Sequence, residues 1–186
     1  MKVAIVGLAT SSHDAAPWSD PAWQKWGLPW DDQSWTQLDR AFEMHDLRLL
    51  KSEHSTRKAG YFYRLRDCQS LYMQDVSAEV PNAQAYPFED VAQSVGQAYW
   101  NSSVAYALAL AIHEGAQEIA LYGIDMEGTD EYAYQRPNME YLIGFARGKG
   151  IAVHIPDASA LCKFQPQGIR FCGHSPTYVE RYGWLG

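Results

Sequence analysis

No cysteine pair in this chain has the spacing of a metal clasp or a disulfide framework. Cys68, Cys162 and Cys172 stand far apart and odd in number, with no CxxC among them, so a reducing compartment is the simple expectation. Long apolar runs are missing too. The opening MKVAIVGLATSS holds one lysine and an apolar run too short for a secretory signal, and no later stretch reaches spanning length. A cytoplasmic protein without a membrane partner is expected. An excess of positive charge is also absent: 15 Lys and Arg face 22 Asp and Glu, for a net charge of −7 and a pI near 5.3. That argues against stable nucleic-acid binding, which calls for a basic face. There is no GxGxxG, no GxxxxGK[ST], no HExxH and no GxSxG, which removes the support for common dinucleotide, phosphate-loop, zinc-peptidase and serine-hydrolase readings. Without repeats, low-complexity tracts or a Pro/Gly linker, the 186 residues read as one nucleotide-binding domain. Its core spans 1–156 and its tail 157–186.

What the chain does have is an apolar content of 47%, enough for a sizeable core. Five of its seven tryptophans (Trp18, Trp23, Trp26, Trp30 and Trp35) crowd into the first 35 residues. They read as an aromatic minicore under long loops or as stacking surfaces for a flat ligand. Lys2 to Val6, closed by Gly7, reads as a buried first strand. Gln24 to Leu28, Arg40 to His45 and Leu71 to Gln74 follow as strands, with a charged amphipathic stretch up to about Cys68. Pro87 opens a short helix. Asn101, Ser102 and Ser103 are all good N-cap residues ahead of VAYALALAIHEG, where Val104, Leu108, Ala111 and Ile112 share a face and Gly115 caps the end. Glu118 to Ile124 is a buried strand. A polar loop from Glu127 to Arg136 precedes a helix from about Pro137 to Lys149, and Ile151 to Ile155 is the last strand. This alternation predicts an α/β fold: a single Rossmann-like domain with a mostly parallel sheet and helices on both faces.

Ligands of such sheets lie beyond the carboxyl ends of the strands, and the polar residues there are the candidates. The GLATSSHD loop, with Gly7 and Ser11, can offer backbone N–H groups to a phosphate or can be an ordinary capped turn. Ser102 and Ser103 at a helix start suit an anion, since free N–H groups and the helix dipole point there; plain capping needs only one of them. Asp125 ends an apolar strand and could hold a ribose hydroxyl, a metal or a substrate proton, or cap the next turn. Tyr132, Tyr134 and Arg136 suit a phosphate that is gripped and released. Glycine at the start of their loop would let it close as a lid; surface decoration is the alternative. His45 closes the third strand at the same edge and could be a base, or a histidine that merely bonds its neighbours.

The segment NSSVAYALALAIHEGAQEIALYGIDMEGTDEYAY resembles the core of the bacterial CMP-sialic-acid-dependent sialyltransferases. It is also similar to the motility-associated glycosyltransferase-like and 6-hydroxymethylpterin pyrophosphokinase proteins. Those chains carry a T/S-S/G helix start, an alanine-rich helix ending G(Y/F)KEIYLYGID, and a tyrosine-bearing loop. PDASAL resembles their CPNSLL, and FEMHD lies where they carry a strand ending in a nucleotide-contacting residue. RPNMEYLIGFARGKGI resembles RPxxEYxxGxARGxGI of short phage and prophage proteins. The likeness covers about residues 97 to 162 closely and the earlier chain by topology. It implies that Ser102 and Ser103 contact a donor nucleotide and Tyr132 and Tyr134 its phosphate, with Gly7 matching the first glycine of the family's GxGPS loop. The chain departs from the family in three places. The loop asparagine is absent, Pro29 stands where an asparagine often follows the second strand, and no insertion carries a catalytic histidine before the last strand; a GHS triplet lies later, at Gly173 to Ser175. Nucleotide binding therefore carries over better than sialyl transfer.

The expected function is a phage- or prophage-type, glycosyltransferase-like protein of the host cytoplasm that transfers a group from a nucleotide or nucleotide-sugar donor. Ser102, Ser103 and Asp125 would position the donor, Tyr132, Tyr134 and Arg136 would stabilise the leaving phosphate, and His45 would be the base. A non-catalytic protein that sequesters a nucleotide signal of host defence is the second reading. A pyrophosphokinase-like enzyme taking ATP and magnesium, with Asp125 near the metal, is the third. The sequence leaves a homo-oligomer open.

Overall fold

The structure, a computed structural model, describes residues 1–29, 33–51, 60–127 and 130–162. Seven strands form one sheet: β1 (Lys2–Val6), β2 (Trp23–Gly27), β3 (Arg40–Glu43), β4 (Leu71–Met73), β5 (Ala83–Ala85), β6 (Glu118–Tyr122) and β7 (Ala152–His154). Their order is β5-β4-β3-β2-β1-β6-β7, and every pairing is parallel. The central strands KVAIV and EIALY are almost wholly apolar because both of their faces are covered. The chain steps outward from β1 to β5 and then returns to the other side of β1 for β6 and β7. That reversal opens a crevice between the carboxyl ends of β1 and β6.

Alternation along the strands sorts the core into two layers. Phe42 and Tyr72 point to a cluster with Val3, Ile5, Trp26, Ile119 and Leu121. It is built on α3 (Phe88–Ser94), α4 (Ser103–His113) and α5 (Asp130–Gly148). Ala41, Leu71 and Met73 point the other way, to a smaller cluster with Leu50, Tyr61, Leu65 and Cys68 on α1 (Leu47–Lys51) and α2 (Tyr61–Leu65). The Cys68 thiol is pushed up to about 11 by that burial. The fold is Rossmann-like, with helices on both faces.

Helix α4 carries most of the first layer: from Val104 to Ile112 only Tyr106 is more than slightly exposed. Ser102 is its N-cap, with Oγ accepting from the Ala105 N–H at 3.4 Å. At the other end Gly115, at φ +73°, donates to Ile112 O, and Ala116 donates to Ala111 O, a Schellman closure that uses glycine's left-handed freedom.

Three expectations are corrected. The sheet gains β5, which sequence reading misses because AQA is a short edge strand with no buried alternation. Helix α5 begins at Asp130, not Pro137, and keeps Pro137 inside it. Its inward face starts before the proline, with Gln135, Asn138, Met139, Leu142, Ile143 and Ala146 all buried at helical spacing. Burial of that face offsets the hydrogen bond that proline removes. The segment read as a polar lid loop is therefore largely the first two turns of this helix. Packing also continues beyond residue 156: Ser159, Ala160 and Leu161 are buried, and Ser159 Oγ donates to Ile124 O at 2.8 Å.

Candidate functional site

A cleft of about 1030 Å³ opens at the carboxyl ends of β1, β3 and β6, a volume in the range of small-ligand sites. Gly7, His45, Ser102, Ser103, Asp125 and Tyr132 all line it. Its floor is the close approach of two strand ends. Gly7 N–H donates to Tyr122 O at 2.8 Å and Ala9 N–H to Gly123 O at 2.9 Å. A Cβ on Gly7 would collide with Gly123 O, and one on Gly123, which sits at φ +61°, would lie 2.7 Å from Gly7 O.

The hydroxyls of the GLATSSHD loop tie that loop to β6. Ser11 Oγ donates to Asp125 Oδ1 at 2.8 Å, and the buried Ser12 Oγ accepts from Gly123 N–H at 2.9 Å. Ser11 is not among the lining residues; it aims Asp125, which is. Across the cleft stands the start of α4. Ser103 Oγ accepts from Met44 N–H at 3.4 Å, so the helix start is joined to the end of β3.

That strand end holds what sequence reasoning missed. Glu43 is 2% exposed and accepts from the ring Nδ1 of His45, from the His45 main-chain N–H at 3.1 Å and from the Tyr61 hydroxyl at 2.5 Å. A carboxylate at the buried end of a strand was the available signal, since an unpartnered charge there would be too costly to keep. His45 also borders a second depression of about 290 Å³, shared with Asp46, Arg48, Gln74 and Asp75. The Arg48 side-chain and main-chain hydrogen bonds hold the Asp46 carboxyl down at about 2.

The aromatic wall comes from later residues than the tryptophan cluster. Phe42, Trp100 and Tyr106 line the cleft, with Trp100 and Tyr106 edge to face at 5.9 Å. Burial raises the Tyr106 phenol, which keeps it neutral. Trp26 is core, Trp18 packs on His13, Trp23 lies under Lys2 and Trp35 supports the second cluster. Trp30 and the Gly173–Ser175 triplet fall outside the described residues.

Tyr134 and Arg136 do not line the cleft. Tyr134 is 73% exposed on α5. Arg136 donates to Glu140 at 2.9 Å and to Ala160 O at 2.7 Å, which pins residues 160–162 to the helix. The helical periodicity that begins at Asp130 turns these two side chains away while Tyr132 and Gln135 face the cleft. Among the described lining residues the charged groups are Glu43, Asp125, Glu127 and Glu131, with His45 but no Lys or Arg. Also among the described residues, no group of three or more His, Cys, Asp or Glu could hold a metal ion, and no helix is long and apolar enough to cross a membrane.

No protein-family model matches the chain, and no curated protein does. Solved structures of one enzyme are similar to this chain. The sialyltransferase CstII from Campylobacter jejuni in complex with a substrate analogue, CMP-3FNeuAc, is 16% identical at a TM-score of 0.50, covering 87% of this chain and 80% of that one. CstII in complex with cytidine-5'-monophosphate is 13% identical at a TM-score of 0.49, covering 98% of each chain. At such identities the first match establishes a sialyltransferase-like fold.

Proposed function

We propose that the protein is a transferase that takes a glycosyl-type group from a nucleoside-monophosphate-linked donor and passes it to an acceptor hydroxyl. The observation that carries this reading is the composition of the cleft. A serine-capped helix start, an aimed Asp125 and a carboxylate-held imidazole face one cavity that has no cationic side chain among its described lining residues. Neutral donors and a helix dipole suit a single phosphate. Without a divalent cation, the extra charges of a triphosphate would meet the carboxylates of Asp125, Glu127 and Glu131, so a bare triphosphate is expected to bind more weakly than a monophosphate.

In this scheme the α4 start, with Ser102 and Ser103, holds the donor phosphate, Asp125 accepts from a donor hydroxyl, and Tyr132 donates to the leaving group. The acceptor oxygen forms a bond to the glycosyl carbon as the bond to phosphate oxygen breaks. The leaving nucleotide keeps that electron pair, and His45 takes the acceptor proton. Charge developing on the phosphate is met by donors already in place. The finer reading, a phage-encoded enzyme of the host cytoplasm, is supported by the resemblance of RPNMEYLIGFARGKGI alone.

Chromatography of nucleotide sugars incubated with the protein and mixed hydroxyl acceptors tests the proposal. Release of the nucleoside monophosphate with a new glycoside is expected. A tight complex with unaltered ligand would instead favour the sequestering protein.

Ser102→Ala with Ser103→Ala gives a second test. Loss of the cap costs about 1 kcal/mol, or about 2–4 °C in Tm for a domain of this size. Loss of hydroxyl bonds to a charged phosphate should weaken the nucleotide Kd about tenfold. Unchanged affinity by calorimetry would leave these serines as caps only.

A further inference from the structure

We infer that Glu43 is a positioning residue that fixes the tautomer and direction of the His45 ring, with Tyr61 holding the carboxylate from behind. The inference rests on His45 acting as the base of the proposed transfer. It comes from geometry at the end of β3, where a buried carboxylate has three donors among the described residues and two of them belong to the same histidine.

A carboxylate 2% exposed persists in a core only when its charge is hydrogen-bonded. Here Oε1 accepts from both the main chain and the ring Nδ1 of His45, and Oε2 accepts from Tyr61. Because an ionised carboxylate only accepts, Nδ1 must carry the proton. The lone pair of the neutral ring is then on Nε2, the nitrogen able to take a proton. Tyr61 is itself 2% exposed, so the contact behind the carboxylate is dry.

The backbone between the two residues is fastened on both sides. Met44 N–H donates to Ser103 Oγ at 3.4 Å, and Met44 O accepts from Gln74 Nε2 at 2.6 Å. The imidazole is thus set by α2, α4 and the end of β4 together, while its side chain stays 53% exposed for contact with substrate. Other groups share its surroundings: Asp125, Glu127, Glu131, Tyr106 and Tyr132 line the cleft, and Asp46, Arg48 and Asp75 border the smaller depression. Glu43 and Tyr61 act from the buried side, and Glu43 is bonded to the ring Nδ1.

Ring 15N NMR of His45 across pH, with kcat and KM for the donor, tests this on the intact chain and on E43Q and Y61F. The wild-type ring should show a protonated Nδ1 and an unprotonated Nε2 above its titration midpoint. In E43Q the midpoint should fall, because the carboxylate that favours the imidazolium is gone, and the tautomers should mix. The kcat should drop about a hundredfold, the scale of losing a well-set base, with donor KM within about threefold. Y61F should drop kcat about tenfold and keep the tautomer; it also carries the test if E43Q does not fold. An unchanged midpoint and tautomer in E43Q, or unchanged kcat in both variants, would overturn the assignment. If the wild type turned over no donor, the ring spectra would still decide the role of Glu43, and only the transferase reading would fall.

Discussion

Gly7→Ala is expected to lower unfolding stability by about 3 kcal/mol or more, the upper part of the range for overpacking a fitted core. The added methyl would collide with the carbonyl oxygen of Gly123 and stand 2.9 Å from Ile124 Cγ1. The nearer atom is main chain and cannot rotate aside. Relief requires β1 and β6 to part where Gly7 N–H meets Tyr122 O and Ala9 N–H meets Gly123 O. Against a total of about 5–15 kcal/mol, that is a large fraction, and Gly7→Val should not fold. Gly123→Ala adds the strain of φ +61° to the same collision, at about 1–2 kcal/mol for the left-handed conformation. Since both methyls force apart one contact, the double mutant should cost less than the sum. Urea unfolding of Gly7→Ala, Gly123→Ala and their double mutant reads this directly, and a Gly7→Ala cost below about 1 kcal/mol would mean that the strands are not so closely held.

His45→Ala should lower kcat for group transfer about 10²- to 10⁴-fold, the usual contribution of a placed acid–base group. Donor affinity should change little, because the donor's phosphate is proposed to rest on the α4 start. Folding should survive, since the side chain is 53% exposed, although the carboxylate of Glu43 loses a partner. Steady-state kinetics and calorimetry together separate the roles. A rise in donor Kd with kcat preserved would make His45 a nucleotide contact instead of a base, as the resemblance at FEMHD implies.

The parallel sheet was legible because KVAIV and EIALY are unbroken apolar runs and the chain alternates strand with helix. The carboxyl-end rule then selected the loops that line the cleft. Other features were not legible for physical reasons. Three-residue β5 buries too little to leave a period. Pro137 suits a helix start, yet tertiary packing of Gln135 and Asn138 carries the helix back past it to Asp130. That shift moves Tyr134 and Arg136 off the site. The tryptophan cluster draws notice by density, but density does not distinguish core from ligand surface. Glu43 was hidden because a strand residue announces its face by alternation and not its partners; Tyr61, which meets it, lies 18 positions away.

The most direct test of the cleft's assigned ligand is a thermal-shift titration, without divalent cations, with nucleoside monophosphates and the corresponding triphosphates. A ligand at a hundredfold excess over Kd stabilises by about 2.7 kcal/mol, a rise of several degrees for a domain of this size. At least one nucleoside monophosphate should give that rise, and its triphosphate a clearly smaller one. No rise with any monophosphate, or a larger rise with the triphosphates alone, would contradict the account.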